Sequence, residues 1–108
     1  MSQINHSQKM SIGHSFSVGV MHVDLHLPGC RSLKQKRGRL AKVMNHIRKK
    51  HQIAVAEVGD HNVWGRAGLA VVALSRQRDL VNQMLEAVAQ TLMREQEAEL
   101  VYYEIEFR

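Results

Sequence analysis

The 108-residue chain has one cysteine, one proline and one tryptophan, and only 5% of it is aromatic. A lone cysteine, Cys30, rules out an intrachain disulfide, so nothing points to an oxidising compartment. No apolar run approaches the roughly 20 residues of a membrane-spanning helix. The opening residues MSQINHSQKMSIGHS (1–15) lack the apolar middle of a secretory signal. Residues 1–14 read as a disordered leader, with Met10 as a second candidate start, and the protein reads as cytoplasmic with no membrane partner. Also missing are a glycine-rich phosphate cradle, a Cys–His pair and a paired-carboxylate signature. These absences weigh against an enzyme.

Acid is missing from one long interval. Between Asp24 and Glu57 there is no Asp or Glu, yet Arg31, Lys34, Lys36, Arg37, Arg39, Lys42, Arg48, Lys49 and Lys50 all fall there. The C-terminal end is acidic instead, with Glu95, Glu97, Glu99, Glu104 and Glu106. The net charge of +5 is therefore polarised. A basic face of this kind attracts phosphate polyanions, although a solvated helix face would look the same in sequence.

The segments that remain are regular. FSVGVMHVDLHL (16–27) alternates, with Gly19, Met21, Val23, Leu25 and Leu27 on one face and Phe16, Val18, Val20, His22, Asp24 and His26 on the other. Period two with β-branched residues predicts a strand. Pro28-Gly29 stops it, and Ser32 stands at an N-cap position. Leu33, Leu40, Val43, Met44 and Ile47 then predict an amphipathic helix over 32–51. IAVAEV (53–58) and LAVVALS (69–75) read as strands around a glycine-rich loop. Ser75 is the next N-cap candidate, and Leu80, Val81, Met84, Leu85, Val88 and Leu92 predict a helix over 76–95. The strand 98–107 is expected to turn Val101, Tyr103, Ile105 and Phe107 inward and Leu100, Tyr102, Glu104 and Glu106 outward. The order β-α-β-β-α-β favours a single domain over 15–108: an α+β, ferredoxin-like antiparallel sheet with strands one and three central and both helices on one face.

Three stretches carry a family resemblance: VGVMHVDLHLPGCRSLKQKR (18–37), VAEVGDHNVWGRAGLAVVALS (55–75) and VYYEIEF (101–107). The specific part is Leu25, His26, Leu27, Pro28 followed by Ser32, Leu33, Lys34, Lys36 and Arg37, with Ala56, Glu57, Val58 and Trp64 as a second anchor. In these the chain resembles the small bacterial family called YlxP, or domain of unknown function 503. It departs from the family at Gly38 and in its longer leader. The resemblance implies a ferredoxin-like fold and no established activity. Members are commonly encoded beside translation and ribosome-maturation genes, including ribosome-binding factor A, an association that carries no chemistry of its own.

Four constellations are candidates for function. Ser32, Lys34, Lys36, Arg37, Arg39 and Lys42, at and after a helix start, could hold phosphates of RNA without reading sequence. On the open sheet face, His22 and Asp24 with Glu104 or Glu106 invite a metal reading. Residues four apart on a strand lie roughly 13 Å apart, so His22 and His26 cannot share an ion. His22 with Asp24 and a cross-strand Glu could, at roughly 6.6 Å, but zinc usually takes four close ligands. Cross-strand pairing or a homodimer face built from Phe16, Val18, Val20, Leu100 and Tyr102 is therefore preferred. His26 and Glu57, with Trp64 and Arg66 nearby in sequence, form a further polar candidate for acid–base or phosphate-ligand chemistry. A buried Glu57 would need a partner such as Arg66 or His61. Trp64 could stack on a base or a partner, but a lid over the end of the core is the preferred reading. The expectation is a non-enzymatic RNA- or ribosome-binding protein without metal or cofactor. The alternatives are a homodimeric adaptor and a small enzyme or phosphate-ligand binder using His26 and Glu57.

Overall fold

A computed structural model describes residues 13–108; the expected leader, apart from residues 13 and 14, and Met10 with it, lies outside the described residues. The elements are β1 (Ser17–His26), α1 (Leu33–Lys50), β2 (Ala54–Gly59), β3 (Arg66–Ser75), α2 (Arg78–Met93) and β4 (Glu99–Phe107). The strands form one antiparallel sheet in the order β2-β3-β1-β4, which puts β1 and β3 at the centre. This is the expected ferredoxin-like α+β arrangement.

Alternation in β1 does what period two requires. Met21 pairs with Val71, Val23 with Leu69 and Leu25 with Ala67, and all six side chains are buried. Leu40, Val43 and Ile47 of α1 and Val81, Leu85, Val88, Ala89 and Leu92 of α2 join the same cluster, so both helices cover one sheet face. Gly19 lies where α2 crosses β1. A Cβ there would stand 2.6 Å from Val81 Cγ1 and 3.0 Å from Leu85 Cδ1. The glycine is a packing requirement.

Helix ends follow local chemistry in one case and depart from expectation in the other. Ser32 caps α1, its hydroxyl accepting the Gln35 N–H at 3.0 Å, while Gln35 Oε1 accepts the Arg31 N–H at 2.8 Å. This is close to a capping box. Ser75 does not cap α2. It remains in β3, and the cap residue is Gln77, whose side chain makes no capping bond; Asp79 in the first turn supplies the favourable charge instead.

β4 departs from simple alternation. Val101 was expected inside, yet it is 65% exposed, while Leu100 packs on the core. The register explains both. Tyr102 pairs with Asp24 and Leu100 with Leu25, so Val101 is the extra residue of a β-bulge and the side-chain phase changes there.

The two helices are tied near their C-termini. His51 Nε2 lies 2.7 Å from Thr91 Oγ1, and His46 Nδ1 lies 2.8 Å from Glu95. Burial holds the His51 pKa below its ordinary 6.5, with Lys50 and His46 adding like charge. The folded state thus favours neutral imidazole and the unfolded chain binds the proton more readily. The contribution to stability is complete above pH 6.5 and is lost as the pH falls through that value.

Two outcomes follow from the packing. Gly19→Ala should lower stability by about 1–3 kcal/mol through overpacking, measured by urea unfolding, and Val81→Ala in the same chain should recover part of it. His51→Gln, which cannot titrate, should reduce the loss of stability that the parent shows below pH 6.5 in the same measurement.

Candidate functional site

α1 packs against β2 and α2, and the acceptors of Lys36 and Arg39 place its first turns at the end of the sheet where the β2–β3 loop (60–65) and the segment leading into β4 also lie. Leu27 N–H donates to the Gly65 carbonyl at 2.8 Å and fixes this neighbourhood. Lys36, expected to meet phosphate, is instead 1% exposed. Its ammonium lies 3.1 Å from Glu57 Oε2 and donates to the carbonyls of Asp60 and of His61, the latter at 3.4 Å. Asp60 is the one non-glycine residue with positive φ among those described, and its carbonyl also accepts the Val63 N–H. Glu57 Oε2 is buried and accepts no well-aligned hydrogen bond, so the Lys36 charge is what balances it. The partner of Glu57 is therefore Lys36. The Arg66 and His61 side chains expected there do not supply it, and His61 contributes only its backbone carbonyl.

Arg39 is also engaged. Its guanidinium donates to the Glu97 carbonyl from Nε (3.0 Å) and Nη2 (2.6 Å), and to the Pro28 carbonyl from Nη1 (2.6 Å). Lys42 lies 3.4 Å from the Glu97 carboxylate. Arg48 donates to Asn45 Oδ1 and to the Val55 carbonyl. The remaining cations of the acid-free interval, Arg31, Lys34, Arg37, Lys49 and Lys50, are exposed, and their side chains have no hydrogen-bond or ion-pair partner among the described residues. Of the six residues first considered for phosphate, Lys34 and Arg37 stay fully available, Lys42 is exposed but paired, Ser32 is a cap, and Lys36 and Arg39 hold the fold.

The open sheet face has a different chemistry. His22 Nε2 lies 2.9 Å from Glu106 and His26 Nδ1 lies 3.3 Å from Glu99. Arg108 also reaches Glu106, at 2.5 Å, and Tyr102 donates to Glu104 at 3.0 Å. The His22 hydrogen bond, then that of Arg108, holds the Glu106 pKa below the ordinary carboxylate value, and the Glu104 carboxylate raises that of Tyr102. His26 is exposed on this face, whereas Glu57 points toward the helix layer with Val55. The two lie on opposite sides of the sheet and do not form a joint acid–base site. Among the described residues no group of three or more His, Cys, Asp or Glu is placed to hold a metal ion. Beside this polar strip, Ala54, Ala56, Ala70, Val72 and Leu74 line a shallow apolar depression on β2 and β3.

Trp64 does not close the core. It is 51% exposed and stands outside the apolar cluster, in the loop that Lys36 clamps. The expected lid is thus a half-exposed indole in the loop that packs at the start of α1.

A ferredoxin-like α+β domain with one cationic helix face is the class these elements define. The chain belongs to the DUF503 family, described as a protein of unknown function, whose model matches residues 18–105. Among curated proteins there is no significant match. No helix among the described residues is long and apolar enough to cross a membrane.

The Lys36–Glu57 pair had a sequence signal. Leu33, Lys36, Leu40, Val43 and Ile47 follow one stripe with steps of three and four, so Lys36 occupies a core position. Lys36→Met keeps much of the bulk and removes the charge, leaving Glu57 unbalanced. Glu57 keeps 23% of its side chain in contact with solvent, so the loss should be moderate, about 2–4 kcal/mol in denaturant unfolding. Adding Glu57→Gln should restore part of that loss, because the uncompensated charge is then gone.

Proposed function

We propose that the protein is a non-enzymatic RNA-binding protein that grips phosphates with the exposed side of α1 and acts on structured or ribosomal RNA. The observation that carries this reading is the set of exposed, unpartnered cations Arg31, Lys34, Arg37, Lys49 and Lys50 along one acid-free segment. The engaged cations sharpen it. Lys36 and Arg39 are consumed by carboxylate and carbonyl contacts, so they have a structural reason. Lys49 and Lys50 suit the negative end of the α1 dipole, whereas Arg31, Lys34 and Arg37 have no such reason, and repulsion among the exposed cations falls when phosphates come near. Contacts of this kind are strongly salt-dependent and insensitive to sequence.

A second reading is self-association through the open sheet face. It rests on the exposed apolar residues Phe16, Val58 and Leu74 around Ala54, Ala56 and Val72. Sedimentation at micromolar concentration separates the two, since a monomer removes the second.

Binding to ribosomal RNA fragments, followed by fluorescence anisotropy from 50 to 300 mM salt, tests the first. Five phosphate contacts should give a slope of log K against log salt of about −4.5 on duplex and about −3.5 on single-stranded segments. The double variant Lys34→Ala/Arg37→Ala should flatten that slope by about 1.4 and leave the unfolding midpoint unchanged. Absence of affinity at low salt, or a flat salt dependence, would refute the reading.

A further inference from the structure

The α1 cations account for attraction to any polyanion and leave Trp64 unexplained. Half of the only indole in the chain is in water, on a molecule with few aromatics. Its loop is anchored on both sides. Upstream, the carbonyls of Asp60 and His61 converge on the Lys36 ammonium, and Val63 N–H returns to Asp60 at 3.0 Å. Downstream, the Gly65 carbonyl accepts Leu27 N–H at 2.8 Å, and Arg66 begins β3 opposite His26. Trp64 therefore sits between fixed backbone positions without its side chain being used to fix them. A ligand that met it would find the loop already ordered.

The same tie points settle which surface Trp64 extends. Lys36 belongs to the first turns of α1 and points inward, away from Lys34, so the clamped loop abuts that end of the helix from the sheet side. Leu27 leads through the Pro28-Gly29 turn to Arg31. Arg31, Lys34, Arg37 and Arg66 are all exposed and make no side-chain bond among the described residues. Glu57 in β2 is already balanced by Lys36, which leaves the exposed Asp60 carboxylate of the loop against these four cations. An exposed ring on an ordered loop at the α1 start, with the exposed and unpaired Arg66 two residues on, fits a nucleotide: a base for the ring and a phosphate for the cations of that end. An apolar protein partner would use the ring but leave the cations without counterparts.

We infer that Trp64 is a base-stacking platform at one end of the cationic face, so that the nucleic acid bound there offers at least one unpaired base. This rests on the polyanion reading of α1 and adds the kind of strand it takes. The β3 strand offers no aromatic residue for stacking on the sheet, so the platform lies in the loop.

Because Trp64 is the single tryptophan, its own emission reports on the contact. The full chain is titrated at low salt with three probes: a 12-nucleotide oligouridylate, a blunt RNA duplex and long-chain polyphosphate. The oligouridylate should quench Trp64 emission, whereas polyphosphate should bind without quenching it. Trp64→Ala should weaken oligouridylate binding about tenfold in an anisotropy assay, Trp64→Phe should retain most of the affinity, and polyphosphate binding should stay the same in both. Unfolding curves confirm that each variant is folded. Binding of all three probes with unchanged emission and no effect of Trp64→Ala would overturn the stacking site and leave the polyanion reading standing. Failure of every probe to bind would overturn both. Quenching by self-association in the absence of any probe would assign the indole to a protein contact and also overturn the proposal.

Discussion

One buried ammonium organises the end of the molecule where function is proposed. Taking Lys36 out of water costs several kcal/mol unless its charge and its three donors are met. They are met by one carboxylate, that of Glu57, and two successive carbonyls, those of Asp60 and His61. Those acceptors belong to β2 and the loop after it, so a single side chain joins α1 to the edge of the sheet and sets the loop's path. Arg39, one turn on and about 60° round the helix, acts in parallel, bridging the carbonyls of Pro28 and Glu97. The three connections at this end are thus held by cations from the inner and flanking sides of α1, together with the Leu27–Gly65 backbone bond.

Helical geometry then separates two jobs within one basic segment. At 100° per residue, Lys36 points about 200° away from Lys34, while Arg37 lies within 60° of it. Inner cations become structural and outer ones stay in water. A count of charges over 31–50 therefore overstates the surface potential, because two of the nine are committed to protein acceptors with little solvent contact.

Most of the architecture was legible because strand alternation and helix spacing are local. Ser32 was legible because a cap and its partner three residues on are adjacent in sequence. Three features were not, each for a reason that lies in tertiary pairing. The Val101 bulge depends on where β4 docks on β1. The Arg39–Glu97 contact joins residues 58 apart in the chain. Lys36 was assigned to the surface on residue type alone, although its place in the Leu33–Ile47 stripe gave its direction. Glu57 was correctly suspected of needing a partner, and the error lay in seeking it among the loop residues that follow it.

The two faces of the domain differ in sign as well as shape, and this bears on what each can bind. The β4 side of the open sheet carries Glu99, Glu104 and Glu106, with Asp24 on β1, against His22, His26 and Arg108. That strip repels a polyanion and so favours approach from the α1 side. The apolar part of the same face spans about three strands and three two-residue steps, an area on the order of 300 Å² from strand spacing and rise. A stable dimer buries roughly 800 Å² per partner. Self-association would therefore have to recruit the acidic strip, either against its own copy or over the apolar half, and both placements cost desolvation or like-charge repulsion. The β2 edge gives little help, since Arg48 already donates to the Val55 carbonyl and occupies one of the groups that a partner strand would pair with. Charge and area together thus suit the α1 end better than the open sheet face to the polyanion contact proposed above.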